Sequence, residues 1–151
     1  MEKPSVIMVV AKYPATYGHT TVINNLCLGL KKLGHKTAVG AFEFESDPPE
    51  GVEKIELSKK ELLQTGVSKL DFDIIHPHQA QVLYYLLFKK PDKPIVFHYH
   101  AASNIIQELN LKVSMGLFKK RIQKTICVSN KALNHLHEWA GDCNSTIIYN
   151  G

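Results

Sequence analysis

The stretch Ser5-Val-Ile-Met-Val-Val-Ala11 is apolar at six successive positions. A short continuous apolar run is typical of a strand that is covered on both faces, as in parallel sheets flanked by helices. A loop follows it and ends at Gly18, and apolar residues then recur at helical spacing. We predict a helix there, capped by Thr20 or Thr21 and closed by Gly34. The chain is therefore expected to open with a strand followed directly by a helix.

The same alternation of short apolar runs and longer helical patterns continues along the whole chain. Further strands are predicted at residues 36–42, 52–57, 72–76, 94–99, 125–128 and 145–149. Helices are predicted at residues 79–90, 103–121 and 131–140, and residues 58–68 form a charged segment. Strands that alternate with crossovers of this length predict the α/β class, with a Rossmann-like parallel sheet and helices on both faces.

Composition excludes several classes of protein. The 151 residues are 44% hydrophobic and 21% charged with a net charge of +4, which is typical of one globular domain and not of a disordered or fibrous chain. The basic residues form no stripe interleaved with aromatic residues, so no nucleic-acid partner is expected. Apolar runs are too short for a membrane span, and no signal-peptide pattern opens the chain, so we expect a cytoplasmic protein.

Motifs for several common chemistries are missing from the sequence. The first strand is not followed by GxGxxG, and neither GxxxxGK[ST] nor GxSxG occurs. The three cysteines have no zinc-ligand spacing and are expected to be reduced thiols. A dehydrogenase, a P-loop nucleotidase and a serine hydrolase of the usual kind are therefore not supported.

Ligands of parallel sheets bind beyond the carboxyl ends of the strands, so the residues that follow each strand are the candidates for a site. Gly18 lets the backbone approach a ligand, and the helix after it offers free N–H groups to a phosphate, although a plain turn also explains this glycine. Ser129 and Asn130 follow a later strand, and Asn150 follows the last one. These polar residues are also ordinary caps and turns.

Histidines follow two of the predicted strands in pairs. His76 and His78 end one strand, and His98 and His100 end the next, so each pair faces one side of an extended segment. Four imidazoles could bind a metal, but no carboxylate or cysteine completes the set in sequence. Hydrogen bonding to a polar ligand is the interpretation we favour. The pair at 135 and 137 diverges on a helix and is expected at the surface.

Five segments together resemble retaining glycosyltransferases of family 4, which have the GT-B fold. They correspond to that family's "GLxxxGHxVxV", "D(I/V)(I/V)HxH", "P-hydrophobic-…-T-x-H", "hAVSE" and "VIPNG" patterns. The segments are Gly29-Leu-Lys-Lys-Leu-Gly-His-Lys-Thr-Ala-Val39, Phe72-Asp-Ile-Ile-His-Pro-His78, Pro94-Ile-Val-Phe-His-Tyr-His100, Ile126-Cys-Val-Ser-Asn130 and Ile147-Ile-Tyr-Asn-Gly151. They occur in the family's order over nearly the whole chain.

The resemblance implies roles for individual residues. His100 would contact the transferred sugar and is the expected catalytic residue. The other expected substrate-binding residues are Tyr17, Gly18 and His19 beside the donor diphosphate, together with His76, His78, Ser103, Ser129 and Asn150. No resident metal or cofactor is implied, and the donor would be a UDP- or GDP-linked sugar. The loop reads Gly18-His19 where the family usually has Gly-Gly, and Ala101 stands where Gly or Thr is frequent.

The resemblance also implies a division of labour between two domains. Residues 1–151 would form the N-terminal, acceptor-side domain, and a C-terminal nucleotide-sugar domain, absent from this chain, would complete the enzyme. The chain alone is then expected to be inactive. Two alternatives remain open: a non-catalytic α/β module that binds a phosphorylated small molecule, and half of a GT-B sugar-nucleotide epimerase. The epimerase would need carboxylates at the cleft, where only Glu43 and Glu45 are near.

Residues 104–124 combine apolar and basic side chains. Six apolar residues form a stripe at roughly helical spacing, with Leu111 and Met115 off it: Ile105, Ile106, Leu109, Val113, Leu117 and Phe118. Lys112, Lys119, Lys120, Arg121 and Lys124 add positive charge near one end. Such a segment could touch a membrane that carries a lipid-linked acceptor. The alternative is a core helix that buries this stripe.

Overall fold

The computed structural model describes residues 2–15, 18–100 and 104–150. Seven strands and five helices follow one another in these ranges, with one 3₁₀ turn, Lys119–Arg121, between the last two helices. The strands are β1 (Val6–Tyr13), β2 (Thr37–Phe44), β3 (Glu53–Glu56), β4 (Ile74–Pro77), β5 (Val96–Tyr99), β6 (Lys124–Cys127) and β7 (Ser145–Ile147). The helices are α1 (His19–Lys32), α2 (Lys59–Thr65), α3 (Ala80–Leu87), α4 (Ile105–Phe118) and α5 (Asn130–Ala140).

All strand pairs are parallel, as the alternating pattern predicts. One sheet has the order β3-β2-β1-β4 and the other the order β5-β6-β7. A parallel bridge between Ile75 and Ile95 places β4 beside β5, so the two sheets continue each other. Strand order runs in one direction from β1 to β3 and in the other from β4 to β7. It therefore reverses between β1 and β4, and such a reversal opens a crevice for ligands in doubly wound folds.

Both faces of the sheet are covered, which confirms the Rossmann-like prediction. Alternate residues of β1 point to opposite layers: Ile7 and Val9 join a core with helices α2 to α5, while Val6, Met8 and Val10 pack against α1. Gly40 of β2 lies so close to its neighbours that an added Cβ would come within 2.9 Å of Ile7 Cδ1. No helix in the described ranges is long and apolar enough to cross a membrane.

Several boundaries differ from the predictions. Helix α1 starts at His19 because Gly18 adopts a left-handed conformation with φ 79°, and Thr20 is inside the helix, where its hydroxyl donates to Ala15 O at 2.8 Å. The predicted charged segment contains helix α2, capped by Ser58, whose hydroxyl accepts from Glu61 N. The remaining ends shift by a few residues, as expected for helix and strand termini.

Helix α4 buries the opposite face from the one that the apolar stripe suggested. Leu111 and Met115 are fully buried, whereas five stripe residues are at least half exposed: Ile105, Ile106, Leu109, Val113 and Leu117. Phe118 alone of the stripe packs against the core. The interpretation of the stripe as the buried face of a core helix is therefore wrong. Leu111 and Met115 are one turn apart, so a second, shorter apolar face was available to dock on the domain.

Candidate functional site

Histidines gather beside this reversal, at the carboxyl ends of β4 and β5 and at the start of the helix that follows β1. His76 lies in β4, His78 follows it, His98 lies in β5, and His100 follows that strand. His19 begins α1, which follows β1. Three separate connections thus bring five imidazoles to one edge of the sheet. We call these five residues the histidine cluster.

The rings of the histidine cluster form two hydrogen-bonded pairs. Nε2 of His76 lies 3.2 Å from Nδ1 of His98, and Nδ1 of His78 lies 3.1 Å from Nε2 of His100. Within each strand the rings stack, with centroids 4.7 Å apart for His76 and His78 and 4.5 Å apart for His98 and His100. The ring of His19 approaches that of His100 to 4.2 Å. In each pair one nitrogen donates and the other accepts, so both rings are compatible with the neutral form.

Burial and mutual repulsion keep the cluster uncharged. Burial, and then the neighbouring His98, lowers the pKa of His76 to about 3, while burial and the surrounding imidazoles lower the pKa of His100 to about 3. Burial lowers the pKa of His98 to about 4, with a further contribution from His19. The pKa values of His78 and His19 are lowered too, chiefly by burial. At neutral pH these rings are therefore hydrogen-bonding groups and not cations.

A small cleft opens beside the cluster. Gln79 lines this cleft. Its side-chain Oε1 accepts from Ala11 N at 2.9 Å and from the amide of Gln81 at 3.1 Å, which ties the segment after β4 to β1. Every residue that lines the cleft within the described ranges is uncharged at neutral pH or a histidine: His19, His78, Gln79, Ala80, Gln81, Tyr99, His100 and Gln107. The cleft suits a ligand that carries many hydroxyl groups.

The N-terminus of α1 borders the same cleft. Gly18 caps this helix in the left-handed region, and no acidic residue occurs in its first turn. Among the described residues, no atom lies within 4 Å of a Cβ built at Gly18. Unpaired N–H groups and the helix dipole favour negative charge at such a terminus.

A second group of side chains supports the cleft from behind. The hydroxyl of Tyr99 bonds to Nδ1 of His135, and Nε2 of that histidine lies 3.1 Å from Glu108 Oε1. Strand β5 is thereby linked to both α4 and α5. The prediction that His135 is a surface residue is wrong, because its ring is half-buried between these partners. Helical spacing alone could not show this, since the partners come from two other elements.

The structure places only some of the predicted site residues at the cleft. His19, His78 and His100 line the cleft, Gly18 caps the helix that begins at His19, and Nε2 of His76 lies 3.2 Å from Nδ1 of His98. Tyr17 and Ser103 lie outside the described residues.

The two remaining candidates do not line this cleft. Ser129 caps α5, and its hydroxyl accepts from Ala132 N at 3.1 Å. This serine therefore has the role of an ordinary helix cap. Asn150 is exposed beyond the last strand. Sequence reasoning missed Gln79, Gln81, Tyr99 and Gln107, although the position of Gln79 directly after a strand was a usable signal.

Three histidines of the described residues are close enough together to bind one metal ion. One nitrogen each from His76, His78 and His98 lies within 4.8 Å of the others.

Comparison with known proteins identifies the family. The sequence profile of Glycosyltransferase Family 4 matches residues 17–151, and the chain belongs to this family. No curated protein matches the sequence.

Solved structures with the same fold are GT-B glycosyltransferases. HepE from Anabaena in complex with UDP and glucose superposes with a TM-score of 0.75 at 14% identity, over 99% of this chain and 45% of that one. Sucrose-phosphate synthase from Thermosynechococcus elongatus gives 0.72 at 13% identity, over 99% and 48% of the two chains. WaaG, a glycosyltransferase of lipopolysaccharide biosynthesis, gives 0.63 at 13% identity, over 95% and 44%. This chain spans slightly under half the length of each of these structures, and it corresponds to an N-terminal-like half.

The buried histidines predict a stability that falls in mild acid. Their pKa values are lower in the folded chain than the ordinary value of 6.5, so the unfolded chain binds more protons below that pH. The free energy of unfolding should be nearly constant between about pH 7 and pH 8 and should fall from pH 6.5 towards pH 4, by roughly 1.4 kcal/mol per pH unit for each histidine involved. Urea unfolding at a series of pH values, with EDTA present so that only protons compete for the imidazoles, measures this slope.

The variant His98→Gln provides the internal comparison. It removes one titrating ring. The free energy of unfolding of the variant should therefore fall less steeply between pH 6.5 and 5, with about one proton fewer taken up on unfolding. A free energy of unfolding that does not change over this interval in the parent chain would contradict the burial of neutral imidazoles.

Proposed function

We propose that this chain is the acceptor-side half of a retaining glycosyltransferase whose donor is a nucleotide-sugar. The observation that carries the proposal is the neutral histidine cluster at the strand-order reversal of a Family 4 domain. Uncharged imidazoles and amides in a small cleft match the hydroxyl groups of a sugar, and they carry no charge that a neutral ligand would have to offset.

The donor is proposed to be UDP- or GDP-linked. A structural neighbour, HepE, is in complex with UDP and glucose, which supports a UDP-linked sugar. The α1 N-terminus with Gly18 as its cap is a suitable neighbour for the diphosphate, since it combines free N–H groups with the positive end of a helix dipole. The basic residues that neutralise the leaving diphosphate are proposed to come from a second, C-terminal domain. The activity of this chain would therefore depend on that domain.

The proposed chemistry relies on positioning and charge stabilisation. His100 lines the cleft and is held by His78 at 3.1 Å, so its ring has a defined orientation before a ligand arrives. Because Nε2 of His100 is engaged by His78, we assign its other ring nitrogen, Nδ1, to a hydrogen bond with the transferred sugar. Its contribution is largest if the bond strengthens as the sugar approaches an oxocarbenium-like state.

The two alternative functions receive less support. An epimerase needs carboxylates at the cleft, but Glu45 and Glu43 pair with Lys12 at 2.7 and 4.0 Å and do not line the described cleft. A non-catalytic module that binds a phosphorylated molecule would use only the α1 terminus. It leaves the five histidines without a role.

The role of His100 predicts a specific kinetic defect. In the full-length enzyme, His100→Ala should lower kcat on the order of 100-fold, because one positioned hydrogen bond in the transition state contributes about 3 kcal/mol. Release of nucleotide from a panel of UDP- and GDP-sugars measures the rate. The matched control is His137→Ala, a histidine of α5 that does not line the cleft, and its kcat should equal that of the parent enzyme.

A loss of thermal stability in His100→Ala with unchanged kcat would make this residue a packing residue and would refute its catalytic role. Release of nucleotide by none of the sugars tested would remove support for the donor class itself.

We further propose that the protein is cytoplasmic and touches the membrane peripherally through residues 104–124, where a lipid-linked acceptor would be presented. The exposed apolar residues of α4 lie on one face of the helix, and the isolated chain leaves them in water. Lys112 and Lys120 are exposed beside this face, while the one acidic residue of α4, Glu108, is engaged by His135. Exposed apolar and cationic groups on one helix suit an anionic lipid surface.

The other basic residues of this segment hold the fold together. Lys119 contacts the carbonyl groups of Ala140 and Asp142, and Arg121 donates to Leu87 O and Phe88 O at 2.6 and 2.9 Å. Substituting them would therefore disturb packing as well as charge.

Exposed apolar residues give a cleaner test of membrane contact. The double variant Ile106→Gln and Leu117→Gln should reduce co-sedimentation with phosphatidylglycerol-rich vesicles about tenfold at low salt, because it removes the inserting groups. The control is Leu33→Gln, which changes an equally exposed leucine beyond the end of α1. Its vesicle binding should match that of the parent protein.

Binding of the parent protein should also weaken as salt screens the lysines. Absence of vesicle binding at low salt, or equal binding by the double variant, would show that α4 is not a membrane contact.

A further inference from the structure

We propose that His76, His78 and His98 form a binding site for one divalent cation of the imidazole-preferring kind, with Zn²⁺ as the first candidate. The site goes beyond glycosyl transfer, and it does not rest on the proposed function. It also departs from the expectation drawn from the sequence, where no carboxylate or cysteine was seen to complete a ligand set. The fold supplies what the sequence could not show, namely the distances between the two histidine pairs.

The distances suit a tetrahedral ion. One nitrogen from each of the three rings lies within 4.8 Å of the others. The contact between Nε2 of His76 and Nδ1 of His98 is 3.2 Å, and two imidazole nitrogens bound to one zinc at about 2.0–2.1 Å are separated by about 3.3 Å. Two of the three ligand atoms are therefore already at the spacing that coordination requires. The third ring has to turn towards them.

The donor atoms select the type of cation. The ligand set consists of imidazoles, and no carboxylate or thiolate of the described residues belongs to it. The thioether of Met8 lies 3.4 Å from Nε2 of His78, which adds a soft atom beside the site. Zinc and the neighbouring late transition metals prefer such ligands, whereas Mg²⁺ and Ca²⁺ require oxygen atoms.

One of the ligand rings has a nitrogen that no other group occupies. Imidazole coordinates a metal ion through the lone pair of one ring nitrogen. Nε2 of His98 is buried and has no hydrogen-bond partner among the described residues. This ring can therefore present a lone pair at either nitrogen and gives up at most its bond to His76.

The residues around the proposed metal site hold one of its ligands in place and connect the site to the cleft. The other contact of His78, to His100 at 3.1 Å, is of the type that fixes the orientation of a metal-bound imidazole through its second nitrogen. Of the three ligands, His78 lines the cleft together with His100, and we infer that a cation enters by this route.

Equilibrium dialysis of the full chain against ZnCl₂ at pH 7.5, after treatment with EDTA, tests the site. We expect about one Zn²⁺ per chain in the parent protein, and an affinity at least about 100-fold lower in His76→Gln and in His98→Gln. The matched control is His137→Gln, which removes a histidine outside the cluster and should bind Zn²⁺ as the parent does. Circular dichroism checks that each variant is folded.

A spectroscopic measurement keeps the test decisive if the variants do not fold. Co²⁺ added to the metal-free parent chain should produce the intense visible absorption of a tetrahedral nitrogen site. The weak spectrum of octahedral Co²⁺ would overturn the proposal. It would also be overturned if no Zn²⁺ were retained, if His76→Gln and His98→Gln bound as much as the parent, or if His137→Gln lost binding to the same extent. None of these readouts depends on glycosyl transfer.

Discussion

The reversal of strand order between β1 and β4 is the constraint on which the rest of the structure depends. Connections leave β1 and β4 in opposite directions along the sheet, and such a reversal leaves a crevice beyond the carboxyl ends of the two strands. The polar groups of the residues that follow these strands must then form hydrogen bonds with one another or with a ligand. The side chain of Gln79 accepts a hydrogen bond from Ala11 N, and the histidine cluster occupies the rest of this edge.

An all-imidazole edge has a particular physical character. Each ring is both a donor and an acceptor when neutral, so the two pairs satisfy part of their own hydrogen bonding without any charge. Burial disfavours the cationic form, and each additional imidazole disfavours it further. The edge is consequently polar, preorganised and electrically neutral at pH 7. These properties suit sugar hydroxyl groups, and they also leave lone pairs available to a metal ion.

The sequence was sufficient for the class of fold, since periodicity alone indicates strands such as β1 and the helices between them. It also placed His76, His78 and His100 at strand ends, where the structure has them. It could not reveal which strands are neighbours, and so the pairing of His76 with His98 was out of reach. Helix α4 is apolar on two sides, and periodicity cannot choose which side docks. His135 was misjudged for a related reason, because Tyr99 and Glu108 come from other elements.

The central claim is that the edge of the sheet presents neutral, mutually hydrogen-bonded imidazoles at physiological pH. Long-range ¹H–¹⁵N correlation spectra of the histidine-labelled, metal-free chain test it most directly, with single His→Gln variants to assign the rings. The account predicts that His76, His98 and His100 keep the nitrogen shifts of neutral tautomers from pH 7.5 down to pH 5. Rings that become protonated near pH 6.5, like free histidine, would contradict it.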